Sequence, residues 1–199
     1  MKICIYGAGA IGGYLGVELL RAGAQVSLVA RGSHLGAMRA SGLRLLIKDE
    51  EHIVRPRCTD DPSELGVQDV VIICLKAHSV TGALEPMRPL LGPHTRIVTA
   101  VNGIPYWYFY KHGGVHENAV LESIDPGGRQ WRELGPERAI GCIVYPATEL
   151  VAPGVVRHVY GNQFPLGEPS GEITDDVKRL AALFTTAGMK APVLDRIRD

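Results

Sequence analysis

KICIYGAGAIGGYLGVELLRAG, residues 2–23, holds the reading that decides the fold. An apolar, β-branched run at 2 to 6 ends on a glycine cluster, and the cluster opens a segment in which Ile11, Leu15 and Leu19 recur at every fourth position. That is a strand, a tight turn and a helix in direct succession. Gly23 supplies the stop, so the helix is expected over 10 to 22. Gly12 and Gly16 fall on one side of it, where the missing side chains permit close packing on a sheet.

Working outward, the same grammar repeats. AQVSLVA (24 to 30), DVVIICL (69 to 75) and RIVTAV (96 to 101) are further apolar runs separated by segments of helical spacing. Alternation of this kind predicts an α/β fold, doubly wound, with a mainly parallel sheet covered on both faces. A helical piece near 33 to 40 precedes LRLLIK and HIVR, which read as a small antiparallel excursion. Beyond residue 138 the Pro- and Gly-bounded segments AIGCIVYPATEL, GVVRHVY and NQFPLG predict antiparallel strands appended to the edge of the sheet. A last helix is expected from Glu172 to Thr186. In LDRIRD, Asp195 has the character of an N-cap, so a new helix is expected to begin there and the chain reads as a fragment, with residues 1 to 194 as its folded domain.

Composition narrows the choice of partner. Twenty-one basic side chains balance 21 acidic ones with no block of like charge, which argues against nucleic acid or an anionic membrane as a bulk partner and leaves a small-molecule site as the default. Cys4, Cys58, Cys74 and Cys142 form no CxxC pair and read as reduced thiols. With no apolar run near the roughly 20 residues that span a bilayer, and no leader-like start, a cytoplasmic protein is expected. Nothing in the sequence fixes or excludes a homo-oligomer.

Gly7, Gly9 and Gly12 stand in GxGxxG spacing immediately after a strand and at the opening of a helix. The first glycine permits the turn, the second lets the backbone approach a pyrophosphate, and the third lets helix and strand close up. Unpaired N–H groups at the helix start favour an anion there. The loop Gly7, Ala8, Gly9, Ala10, Ile11 and Gly12 is therefore the candidate dinucleotide site. NAD would call for a carboxylate at the end of the second strand, yet none occurs between Glu18 and Asp49, and VARG places Arg31 where a guanidinium can fork onto a 2′-phosphate. NADP is the expected cofactor.

Two further residues are expected on the carboxyl edge of the sheet, where open α/β folds bind ligands. Lys76 in CLKAHS follows the third parallel strand, with chemistry suited to a ribose, a phosphate or a substrate carboxylate. Asn102 in VNGIP follows the fourth. Asn-Gly ordinarily signals a hairpin, but no returning strand follows, and Pro105 suits the first turn of a helix. The amide of Asn102 can donate to and accept from a ribose or a substrate hydroxyl. Gly113 and Gly114 between His112 and His116 argue against a helical metal pair, and no GxSxG elbow occurs.

Taken together, GAGAIGGYLG, VARG, CLKAH, VNGIP and GCIVYPATELVAPGVVRHVYGNQFPLGEPSG resemble the ketopantoate reductases, or 2-dehydropantoate 2-reductases, over essentially the whole chain. The resemblance implies an N-terminal Rossmann-type domain joined to a helical C-terminal domain, and NADPH-dependent reduction of 2-dehydropantoate, a 2-oxo acid, on the way to pantothenate and coenzyme A. It implies the pyrophosphate loop for Gly7, Gly9 and Gly12, the 2′-phosphate contact for Arg31, and the ribose and nicotinamide end for Lys76 and Asn102, with Asn102 also reaching substrate. Ala147, in the YPAT turn, matches a backbone contact to the cofactor. The family's general-acid lysine and assisting glutamate lie beyond Asp199, so no catalytic residue is assigned in this chain. Two other readings stay open: an NADP(H)-binding module without chemistry, and a related reductase of another 2-oxo acid.

Overall fold

Strand β1 (Lys2–Tyr6) is buried from Ile3 onward, as a strand covered on both faces must be, and the computed structural model, which describes residues 1–199, builds outward from it. Helix α1 (Ala10–Arg21) follows, then β2 (Gln25–Val29), α2 (Gly32–Ser41), β3 (Leu43–Ile47), β4 (Glu50–Val54) and β5 (Arg57–Thr59). The second half carries β6 (Val70–Ile73), α3 (Ala77–Met87), β7 (Arg96–Thr99), α4 (Arg129–Leu134), β8 (Ala139–Cys142), β9 (Ala147–Ala152), β10 (Val155–Tyr160), β11 (Leu166–Gly167) and α5 (Asp175–Thr186). The seven-stranded sheet runs β11-β8-β7-β6-β1-β2-β5 and is parallel except at its β11 edge. Strand order reverses at β1, since β2 pairs on one flank and β6 on the other. A crevice at the carboxyl ends follows from that reversal.

Each face of the sheet has its own core. One is built from α1, α5 and residues of the smaller sheet, and the other from α3 and α4 with Tyr106 and Trp107. Helix α1 is buried nearly all round because it lies between two sheets. A Cβ at Gly12 would collide with the Gly7 carbonyl, one at Gly16 would stand 2.9 Å from Leu28 Cδ2, and one at Gly13 would stand 2.7 Å from Val156 Cγ2 in β10. Glycines therefore line both of its packed sides. Its end is set by Gly23, at φ +82°, whose N–H donates to Leu20 O while Ala24 N–H donates to Leu19 O. This paired closure satisfies two carbonyls left over at the helix end.

The mainly parallel sheet is as the sequence predicts, but the added strands are placed differently. AIGC joins the main sheet as the parallel strand β8, and only β11 lies antiparallel on its edge. The hairpin β9-β10 leaves the main sheet and pairs through β10, in parallel, with β3 of the β3-β4 hairpin. A separate sheet of order β4-β3-β10-β9 results. It covers α1 on the side away from the main sheet, where Gly13 lies against Val156 of β10. One expected helix start is also corrected: residues 105–110 form successive turns, with Tyr108 N–H on Pro105 O and Tyr110 N–H on Trp107 O. Arg196 to Asp199 make a single turn closed by Asp199 N–H on Arg196 O. Helix α5 begins at Asp175, behind a Thr174 cap that accepts from Val177 N–H.

Candidate functional site

Parallel register decides which residues share the carboxyl edge. Tyr6 pairs with Val29 and Ile73, and Ile73 pairs with Thr99, so β2, β1, β6 and β7 end side by side. Arg31 follows the first of these ends, the glycine loop the second, Lys76 the third and Asn102 the fourth. Backbone bonds knit the row together: Gly7 and Ala8 N–H both donate to Val29 O, Cys74 N–H to Tyr6 O, and Ala100 N–H to Ile73 O. Four segments far apart in sequence thus form one rim.

The loop has the form an anion site needs. Gly7 holds φ +102°, a left-handed conformation that a Cβ would strain and that would drive it into Leu75. The first bond inside α1 is Gly13 N–H on Gly9 O, so the N–H groups of Ala10, Ile11 and Gly12 precede any intrahelical acceptor. No acidic residue occupies the first turn. At Gly9 the space where a Cβ would stand is open, with nothing within 4 Å. A pyrophosphate fits this cradle, because it needs close backbone approach and free donors together.

Arg31 is the N-cap of α2, extended at φ −143°, and its side chain is exposed. Burial and the nearby Cys4 raise the Tyr6 hydroxyl's pKa, and the positive charge of Arg31 offsets part of that rise. Its charge is thus felt at the Tyr6 hydroxyl, at the end of β1. Lys76 caps α3 and is exposed, and Ser79 N–H donates to its carbonyl.

Asn102 lies on the wall of a cavity of about 240 Å³ between the ends of β7 and β8. Val101, Tyr108, Ile143 and Val144 give the cavity an apolar lining, and Arg198 adds a charge. Trp107 fixes the floor by donating from Nε1 to Thr99 Oγ1 at 2.9 Å. Arg198 donates from Nε to Tyr108 O at 2.6 Å and from Nη2 to Tyr110 O, holding the aromatic turn against the end of the chain. The Asn-Gly pair makes no hairpin, since the next strand of the sheet, β8, is parallel to β7.

Ala147 stands apart from this row. It opens β9 opposite Tyr160 and is exposed, three residues beyond Val144 on the path that leaves the cavity wall. Sequence reasoning passed over Trp107, Tyr108 and Arg198 as site residues, and also His34. Nothing local marks them, because their partners lie on other elements.

A glycine loop at the switch point, a basic residue after β2 and an amide after β7 define the class: a Rossmann-type α/β protein built to hold a dinucleotide across its carboxyl edge. The family profile described as Ketopantoate reductase PanE/ApbA matches residues 3–171, and the chain belongs to that family. The 2-dehydropantoate 2-reductase of Mesorhizobium japonicum is 53% identical over 200 residues, spanning 100% of this chain and 61% of that protein. Among solved structures, a chain from Ralstonia solanacearum MolK2, provisionally described as a ketopantoate reductase, superposes with a TM-score of 0.94 at 39% identity. It covers 99% of this chain, which in turn spans 61% of it. The 2-dehydropantoate 2-reductase of Porphyromonas gingivalis W83 gives 0.80 at 33% identity, covering 100% of this chain and 65% of its own. The present chain thus spans under two thirds of the length of each of these relatives.

Proposed function

We propose that this chain is the NADPH-binding domain of an enzyme that reduces 2-dehydropantoate to pantoate. The observation that carries the reading is the single rim on which Arg31, the glycine loop, Lys76 and Asn102 are aligned by strand register. In this reading the N–H groups of residues 9 to 12 receive the pyrophosphate and Arg31 forks onto the 2′-phosphate. Lys76 meets the ribose side. Bound NADPH would supply the hydride for the ketone carbon.

Asn102 then orients the nicotinamide end and the substrate oxygen, while the apolar walls of its cavity exclude water. A proton must also reach the ketone oxygen, a step usually worth roughly 10²- to 10⁴-fold. No residue of this chain is assigned that step. Arg198 and Ile197 place the last residues against the cavity wall, so a donor carried on a helix beginning at Asp195 would enter beside Asn102. Residues 1 to 194 are in this view the cofactor domain.

The test is a fluorescence titration of the 199-residue chain with NADPH and with NADH, followed by turnover with 2-dehydropantoate. The expected result is preferential NADPH binding with very slow turnover. Equal affinity for the two cofactors would remove the assigned role of Arg31, and turnover at ordinary enzyme rates would show that the proton donor is already present.

A further inference from the structure

His34 hydrogen-bonds both to the glycine loop and to Gly154, in the turn between β9 and β10 of the smaller sheet. Its Nε2 lies 2.6 Å from Ala8 O, and its Nδ1 receives Gly154 N–H at 2.9 Å. The second contact fixes the tautomer: Nδ1 accepts, so Nε2 carries the hydrogen and donates to Ala8 O. Gly154 is itself held, since its carbonyl accepts from Arg44 N–H at 2.8 Å and its φ of +75° seats it against Ala37 in α2. The ring is therefore anchored at both ends to backbone.

Ala8 is buried, and its carbonyl takes no bond from α1, whose first acceptor is Gly9 O. A buried carbonyl requires a partner, and His34 provides it. In a planar trans peptide the C=O of one residue and the N–H of the next point in opposite directions. Holding Ala8 C=O towards His34 consequently turns Gly9 N–H the other way. We infer that His34 is a positioning residue for the pyrophosphate loop, setting the Ala8–Gly9 peptide plane so that Gly9 N–H faces the bound phosphate. The inference rests on the NADPH reading above and adds to it the means by which the smaller sheet contributes to cofactor affinity.

His34→Gln keeps a donor near the place of Nε2, whereas His34→Asn keeps only an acceptor near the place of Nδ1. His34→Ala keeps neither. Each variant of the 199-residue chain is titrated with NADPH and with adenosine 2′-monophosphate, which carries the 2′-phosphate but no pyrophosphate. The expected pattern is NADPH affinity within about threefold of wild type for the Gln variant and about tenfold weaker for the Asn and Ala variants, the size of one lost hydrogen bond. Affinity for adenosine 2′-monophosphate should be unchanged in all three. Unchanged NADPH binding by the Asn and Ala variants would overturn the inference, as would a Gln variant as weak as they are. Parallel loss of both ligands would show general loosening and overturn it too. Failure of the wild-type chain to bind NADPH would instead remove the underlying cofactor reading, and the inference with it.

Discussion

Gly9 and Gly12 sit three residues apart in one loop, yet a methyl group at each meets opposite surroundings. At Gly9 it enters open space in the crevice, and at Gly12 it meets the Gly7 carbonyl and, at 3.0 Å, Ile5 Cγ2. Gly9→Ala should therefore fold with an unchanged melting temperature while losing NADPH affinity by tenfold or more, because the methyl group takes the place of the phosphate. Gly12→Ala should lose about 1–3 kcal/mol of stability, the usual cost of overpacking, in urea unfolding. Equal destabilisation by the two would show that Gly9 is structural. Arg31 allows a second residue-scale prediction. Arg31→Ala should weaken NADPH about 10- to 100-fold, the range of a lost charge-assisted fork, and leave NADH binding as it was. Titrating both cofactors checks it.

At the scale of elements, α5 is attached to the sheet at the end opposite the crevice. Arg96 opens β7 and its Nη2 lies 2.7 Å from Glu168 Oε1, with side-chain exposures of 17% and 7%. The alignment is that of an ion pair rather than a good hydrogen bond, since Nε and Nη2 of Arg96 lack well-directed acceptors. Glu168 also accepts from Thr174 Oγ1, the hydroxyl that caps α5. Glu168→Ala strands a nearly buried guanidinium and frees the cap. It should cost about 3 kcal/mol, the lower end for breaking a buried pair, because Asp176 lies 3.9 Å from Arg96 and compensates in part. Cofactor affinity should not change, because the carboxyl edge is untouched. A drop in NADPH affinity at constant fold would show that the two edges are coupled.

For the whole molecule, burial of weak acids makes stability depend on alkaline pH. Burial pushes the thiols of Cys4 and Cys142 from 9.0 up to about 12, and burial with Glu18 raises Tyr14 from 10.0 to about 12. Between those values the unfolded chain releases its protons while the folded chain keeps them. The unfolded state then binds fewer protons, so unfolding free energy falls as pH rises. Urea midpoints should be level from pH 7 to 8.5 and decline from about 9 towards 12. A midpoint that is flat to pH 11 would contradict the burial of these groups. Ellman's reagent at pH 8 should leave Cys4 and Cys142 unmodified until the chain is unfolded.

Much of this was legible in order along the chain. Strand-turn-helix at 2 to 23, the parallel grammar, and the positions of the glycine loop, Arg31, Lys76 and Asn102 just past strand ends all depend on local period and on residues close in sequence, which hydrophobic patterning and turn chemistry specify directly. What the sequence could not show are the pairings made at long range. Whether VVRHVY lies on the main sheet or beside β3 depends on which exposed face needs cover, and that face exists only once α1 has docked. The turns at 105–110 stand where a helix start was expected, and there the carbonyls of Tyr108 and Tyr110 accept from Arg198, 90 and 88 residues away. His34, 120 residues from Gly154, was equally silent. The sequence by itself determined the elements and the loop that can hold an anion. Only the tertiary structure decided which distant donors and acceptors fix that loop in place, because a buried polar group takes whatever partner the fold brings to it.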